Sequence, residues 1–169
     1  MHESAYVKMG ELLWHHLGDR WDKVLHVLDV GSKCIAPETR TYRELCSAAW
    51  RYTGSDLEAG ENVDRVQAGP YHIQDKAEQY DLVLCGQVLE HSEQPWVLVP
   101  EMTRMVKPGG WMFLTAPWYW HIHRYPVDCW RILPDGMRVL LELAGLKIVD
   151  VNHSNTDTWG IARKQAKTP

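Results

Sequence analysis

The sequence predicts an α/β fold: a doubly wound, mostly parallel sheet of seven strands with helices on both faces. Three observations carry this. Apolar runs alternate with amphipathic segments through most of the 169 residues, the pattern of strand–helix–strand units. The runs at residues 24–30, 80–86 and 111–116 are almost continuously apolar, as strands covered on both faces must be. The last two runs are joined only by the polar turn His153-Ser154-Asn155-Thr156-Asp157. That turn is too short for a crossover, so the final pair is antiparallel.

The elements follow in order. Residues 4–17 place Tyr6, Met9, Leu12, Leu13 and His16 at helical spacing, an N-terminal helix. Residues 24–30, rich in β-branched residues and closed by Gly31, are the first strand. Residues 38–50 put Tyr42, Leu45, Cys46 and Ala49 on one face and read as a helix. Residues 51–56 form a second strand ending in Asp56, and residues 63–66 a short third one. Residues 80–86 are the fourth. Residues 92–106 read as a helix, with Pro95 and Pro100 placed before it or in its first turn. Pro108-Gly109-Gly110 stops that helix and opens the fifth strand, 111–116. Pro134 suits a first helical position and Gly145 the residue after a helix end, so a helix runs between them. Residues 146–152 and 158–163 are the closing strands.

Composition narrows the function. Eighteen Lys+Arg against 22 Asp+Glu leave a net charge of -4, which argues against a nucleic-acid binder. A hydrophobic share of 45% with 24% charged residues is that of a globular chain. One domain over residues 1–169 is expected: an N-terminal helix (1–20), a cofactor-binding core (24–116), an acceptor loop (117–133) and a C-terminal helix with a strand pair (134–164). The start of the chain shows no basic and apolar leader, and the apolar run 111–122 is broken by Pro117, so neither export nor a membrane partner is expected. Cys34, Cys46, Cys85 and Cys129 form no CxxC pair and read as reduced residues of a cytoplasmic protein. Nine Trp and seven Tyr stand against the single Phe113; rings with a polar handle line a wet pocket or fill a core.

Ligands of open α/β sheets sit outside the carboxyl ends of the strands. The first strand ends Leu28-Asp29-Val30-Gly31-Ser32, where Gly31 permits a tight turn and the following amides face a ligand. Asp56, 25 residues beyond Gly31, ends the second strand, and an acid there accepts two hydrogen bonds from a ribose diol. These pieces fit nucleotide cofactors generally. A third block is more specific: Asp81-Leu82-Val83-Leu84-Cys85-Gly86-Gln87-Val88-Leu89-Glu90-His91, then Arg104-Met105-Val106-Lys107-Pro108-Gly109-Gly110. It resembles the class I S-adenosylmethionine-dependent methyltransferases of the small, type 11-like kind, from Val24 to Arg163. The resemblance implies a Rossmann-like sheet with the last strand antiparallel, and S-adenosylmethionine as cofactor. It implies that Asp29, Gly31 and Ser32 hold the methionine end, Asp56 the ribose, Leu57 the adenine side, and Cys85, Gly86 and Gln87 the sulfonium end. Three features depart from the family pattern. Lys33 stands where a second glycine is usual, no acid follows the third strand near Gly69 and Tyr71, and the segment between the second and fourth strands is short.

The loop Pro117-Trp118-Tyr119-Trp120-His121-Ile122-His123-Arg124-Tyr125-Pro126-Val127-Asp128-Cys129-Trp130-Arg131 carries the densest chemistry. In the family the loop after this strand helps form the acceptor pocket. Methyl transfer chiefly needs alignment of donor and nucleophile, and a hydroxyl nucleophile also needs a base. His123, His121 and His91 are the candidates, with Asp128 as orienting partner. Trp118, Trp120, Tyr125 and Trp130 are candidate acceptor platforms, and Arg131 a holder of an anionic group. Asp128 and Arg131 read equally well as a structural ion pair. His121-x-His123 with Asp128 is also a conceivable metal set, but no metal is expected. His26 reads as a satisfied core or interface residue, His15 and His16 as ordinary helix residues, and Arg163, Lys164 and Lys167 as a solvated tail.

The reading is methyl transfer from S-adenosylmethionine to a small-molecule or saccharide-type acceptor at oxygen, with homodimerisation left open. One alternative is a non-catalytic methyltransferase-like interaction domain, suggested by Lys33 and the missing acid. The other is a nicotinamide-dependent oxidoreductase, which the lack of three turn glycines and of a Tyr-x-x-x-Lys pair disfavours.

Overall fold

A computed structural model describes residues 3–36 and 39–166. Glu38, the expected start of the second helix, and Lys167, part of the expected tail, lie outside the described residues. The chain runs α1 (Glu3–Leu17), β1 (His26–Val30), β2 (Arg51–Asp56), β3 (Arg65–Val66), β4 (Tyr80–Gly86), α2 (Pro95–Met105), β5 (Val106–Pro117), α3 (Pro134–Leu143), β6 (Leu146–His153) and β7 (Asp157–Lys164). The strands form one sheet in the order β3-β2-β1-β4-β5-β7-β6. The first five pair in parallel, and β7 runs antiparallel to both β5 and β6, as the polar turn between the last two strands requires.

Strand side chains alternate between two buried faces. Leu28, Val30, Val83, Cys85, Met112 and Leu114 pack with Val99 and Met102 of α2 and Leu140 and Leu141 of α3. Val27, Leu82, Leu84, Phe113 and Ile161 pack with Met9, Leu13 and Leu17 of α1. The continuous apolar runs of the sequence are thus two interleaved cores.

Several expected boundaries are corrected. The helix at 38–50 reduces to a 3-10 turn, Tyr42–Leu45. Thr41 caps that turn: the Glu44 carboxylate accepts the Thr41 amide at 2.8 Å. But Cys46 is already extended, because the chain must return to enter β2 at Arg51. Tyr42 is buried in the core on the α1 side, and Leu45, Cys46 and Ala49 pack against that core, so their spacing reported burial rather than a helix. The third strand is only Arg65–Val66, both exposed. Pro95 is the first residue of α2, but Pro100 sits inside the helix rather than in its first turn. β5 starts at Val106, five residues early, and carries Pro108-Gly109-Gly110 within it; its pairing with β4 is irregular between Tyr80 and Leu82. Among the described residues no α-helix lies between β1 and β2 or between β2 and β4, which leaves the carboxyl ends of β1, β2 and β4 as the floor of an open cleft.

Candidate active site

A cleft of about 940 Å³ lies at those strand ends and is walled by Trp120, His121, His123, Tyr125 and Val127 of the acceptor loop. Asp29, Gly31, Ser32, Asp56, Leu57, Gly86 and Gln87 all line it. Cys85 does not: its side chain is fully buried among the residues facing α2 and α3, because strand alternation turns it away from the cleft.

At the β1 end, Gly31 has φ +80° and a side chain there would overlap Val88, so only glycine fits. The amides after it do not face a ligand as expected. Gly31 and Ser32 both donate to the Ser55 carbonyl, at 2.8 and 3.1 Å, and the Lys33 amide donates to Asp56 Oδ2 at 3.0 Å. The Lys33 ammonium turns to Glu58, 2.6 Å away, which resolves how a lysine is accommodated at the glycine position. Asp56 Oδ1 accepts the Leu57 amide at 2.7 Å and the Glu58 amide at 3.3 Å. A carboxylate has about four acceptor positions, so Asp56 keeps capacity for a ribose hydroxyl. Below it, the Tyr52 hydroxyl donates to Asp29. Asn62 braces the pair, donating to Tyr52 at 3.1 Å and to the Ser32 carbonyl at 2.8 Å. Burial pushes the Asp29 carboxyl up to about 7, against the opposing pull of the Tyr52 hydrogen bond. An acid with acceptor capacity left, a glycine turn and an open cleft fit the nucleoside cofactor that the resemblance implies.

The β4 end is shaped by two tight positions. A side chain at Gly86 would overlap the Tyr42 hydroxyl, and that hydroxyl lies 3.2 Å from Thr115 Oγ1. Gln87 takes φ +60° and donates from Nε2 to Asp157 Oδ1 at 3.1 Å. The next residues form a single turn, with His91 and Ser92 amides donating to the Val88 carbonyl at 2.9 and 3.1 Å.

The acceptor loop docks on that turn. The Cys129 and Trp130 amides donate to the Glu90 carbonyl at 2.7 and 3.3 Å. Trp130 Nε1 donates to the Ser92 carbonyl at 2.8 Å, and His91 Nδ1 donates to the Val127 carbonyl at 2.6 Å. The docking brings the His91 and His123 rings to 4.9 Å, edge to face. Asp128 ties down the histidine: its Oδ2 accepts the His123 amide at 2.7 Å and lies 3.5 Å from His123 Nδ1. The Arg131 guanidinium, which donates to both Asp128 oxygens at 2.6 and 2.9 Å, holds the Asp128 carboxyl well below the usual range. Burial lowers His91.

Three residues expected at the acceptor pocket do not line the cleft. Arg131 is not on the cleft; it is spent on Asp128 and on the Trp120 and His121 carbonyls at 3.2 and 2.9 Å, so the ion-pair reading holds. Trp118 donates to the Ser154 carbonyl at 2.9 Å and packs on the turn between β6 and β7. Trp130 packs on Trp96 outside the cleft. In each case the polar atom found a backbone carbonyl elsewhere, which left Trp120 and Tyr125 as the ring walls. Asp128 is also off the cleft, in contact with the His123 amide and ring.

Sequence reasoning missed Glu90. It is fully buried, and neither carboxylate oxygen has a hydrogen-bond partner among the described residues. Burial pushes its carboxyl up to about 8. The signal was an acid directly before His91, in the turn that follows a strand buried on both faces. Tyr42, Tyr52 and Asn62 were missed because their role depends on which strands neighbour each other.

Residues 28–114, just over half of the chain, match the model of a family described as the methyltransferase domain. Over 61 residues the chain is 37% identical to a ubiquinone biosynthesis O-methyltransferase of Aliivibrio fischeri, a stretch covering 36% of this chain and 26% of that protein. Identity is 42% over 61 residues with the enzyme of that name from Klebsiella pneumoniae, covering 36% and 25%. The chain thus spans about a quarter of the length of the curated relatives it matches. Its fold superposes on 1,6-didemethyltoxoflavin-N1-methyltransferase of Burkholderia thailandensis, solved with S-adenosylhomocysteine. That match has a TM-score of 0.73 at 19% identity, over 96% of this chain and 79% of that one. It also superposes on a SAM-dependent methyltransferase of Aquifex aeolicus with a TM-score of 0.63 at 13% identity, over 96% and 98%. With more than half of its length matching the methyltransferase-domain model and its fold superposing on methyltransferases, the chain belongs to the class I S-adenosylmethionine-dependent methyltransferase family.

Proposed function

We propose that the protein transfers a methyl group from S-adenosylmethionine to a hydroxyl oxygen of a small-molecule or saccharide-type acceptor. One observation supports this above the others: a single cleft joins the Gly31–Asp56 end to the His91–His123 pair. The cofactor supplies an electrophilic methyl on a sulfonium. Asp56 accepts a ribose hydroxyl and Asp29 lines the amino-acid end, with Leu57 beside the base. Gly86 and Gln87 keep the backbone close at the reacting end. Trp120 and Tyr125 flank the acceptor and exclude water. His123, positioned by Asp128, takes the hydroxyl proton, with His91 and His121 beside it on the wall. The histidine base is what favours oxygen: a hydroxyl must lose a proton to attack usefully, and an amine need not. The O-methyltransferase name of the curated relatives agrees with that choice. Among the described residues no helix is long and apolar enough to cross a membrane, and we place the protein in the cytoplasm.

Calorimetry with S-adenosylhomocysteine tests the cofactor half, and no binding at millimolar ligand would overturn it. An acceptor screen that follows S-adenosylhomocysteine release tests the rest. If His123→Ala and His91→Ala both left turnover intact, the base assignment would fail. The reading as a non-catalytic interaction domain predicts no such binding. It loses part of its support because Lys33 is turned to Glu58, away from blocking the turn.

A further inference from the structure

Glu90 is a buried carboxylate for which the methyl-transfer reading has no use. It is fully buried, and both oxygens lack hydrogen-bond partners among the described residues, an arrangement that costs free energy unless a cation or proton occupies it. Oε1 lies 3.7 Å from His91 Nε2. His91 Nδ1 faces the Val127 carbonyl at 2.6 Å. A carbonyl only accepts, so Nδ1 carries the hydrogen and Nε2 presents its lone pair. His123 repeats the arrangement, with Nδ1 facing the His121 carbonyl at 3.2 Å and Asp128 Oδ2 at 3.5 Å, which leaves its Nε2 for a ligand. Donor atoms of Glu90, His91 and His123 lie within 4.8 Å of one another.

We propose that Glu90, His91 and His123 form a site for a divalent transition-metal ion at the acceptor end of the cleft. Two imidazoles whose other nitrogens donate to oxygen, joined by one carboxylate, are the donor set that suits zinc, manganese, iron or cobalt, whereas magnesium prefers oxygen alone. Ligand bonds of about 2.0–2.2 Å require the three groups to draw together by roughly 1 Å. The open positions of such an ion face the cleft that His91 and His123 line. The set differs from the one read in the sequence: His121 is not part of it, and Asp128 is committed to Arg131. The proposal rests on the methyl-transfer reading and replaces its histidine base when the ion is bound. An imidazole that holds an ion takes no proton, so in the loaded protein a hydroxyl coordinated to the ion loses its proton to solvent more readily.

The test uses the full chain, stripped with chelator and free of cofactor. Zinc and magnesium titrations by calorimetry, and the visible spectrum with cobalt, should show one ion per chain, with zinc and cobalt far tighter than magnesium. Hydrogen bonds to ligands alone are worth about 10–100-fold in affinity, so Glu90→Gln and His123→Ala should each cost at least that, while His15→Ala on α1 costs nothing. Unchanged S-adenosylhomocysteine affinity and melting temperature show that the variants are folded, and that affinity reports the methyl-transfer reading independently. Absence of a one-to-one ion, or retention of its affinity in either variant, would overturn the site and leave a proton shared by Glu90 and His91 as its occupant.

Discussion

Replacing Asp29 by Asn should make folding stability less dependent on pH. Asp29 is 3% exposed, and its carboxyl is pushed up to about 7 from an ordinary 3.8, chiefly by burial. The folded protein therefore holds this proton at pH values where the unfolded chain has released it. Between about 4 and 7 the folded state binds more protons than the unfolded state, so stability falls as pH rises through that window. The gap corresponds to at most about 4 kcal/mol, all of it lost above about pH 7. Asn has the same shape, its Oδ1 still accepts the Tyr52 hydroxyl, and it does not titrate. Urea melts of both proteins from pH 4.5 to 8 should show the variant gaining on the wild type by about 1–1.4 kcal/mol per pH unit, then levelling off near pH 7.5. Groups shared by the two proteins cancel in the difference. A difference constant to within about 0.5 kcal/mol over the range would mean that Asp29 is ionised in the folded state and that its burial is compensated.

Three further outcomes follow from the geometry. Asp56→Ala should lower S-adenosylhomocysteine affinity on the order of 10–100-fold by removing charge-assisted hydrogen bonds; an unchanged dissociation constant would show the ribose lies elsewhere. Gly31→Ala forces a side chain into φ +80° and onto Val88, and should cost about 1–3 kcal/mol in a denaturant melt; full stability would contradict the tight-turn account. Asp128→Asn weakens the hold on Arg131 and on the His123 amide, costing about 1–3 kcal/mol. Amides of residues 121–131 should then exchange faster with solvent while the sheet does not, and uniform protection would refute the anchoring part.

Much of the architecture was legible because it depends on local pattern. Long apolar runs such as Leu82–Val83–Leu84–Cys85 can be stable only between two layers, and a five-residue polar turn leaves β6 and β7 no option but to run antiparallel. The tight turn at Gly31 and the place of Asp56 at the end of β2 were legible for the same reason, since both are set by local chain order. The segment before β2 was misread because the spacing of Tyr42, Leu45, Cys46 and Ala49 reports burial without saying what shape delivers it. The aromatic loop divided in a way no spacing encodes. Trp120 and Tyr125 turned to the cleft, while Trp118 and Trp130 turned away to the carbonyls of Ser154 and Ser92, partners 36 and 38 residues distant. The nature of Glu90 was decided in the same manner. As a letter it is one acid beside one histidine; only when residues 127–130 close over it does it become a carboxylate without water, facing two imidazoles. Sequence determined which groups are available at each strand end, because covalent order and two-residue alternation are local. Tertiary structure decided which of them lose their water, because desolvation depends on the loop that covers them.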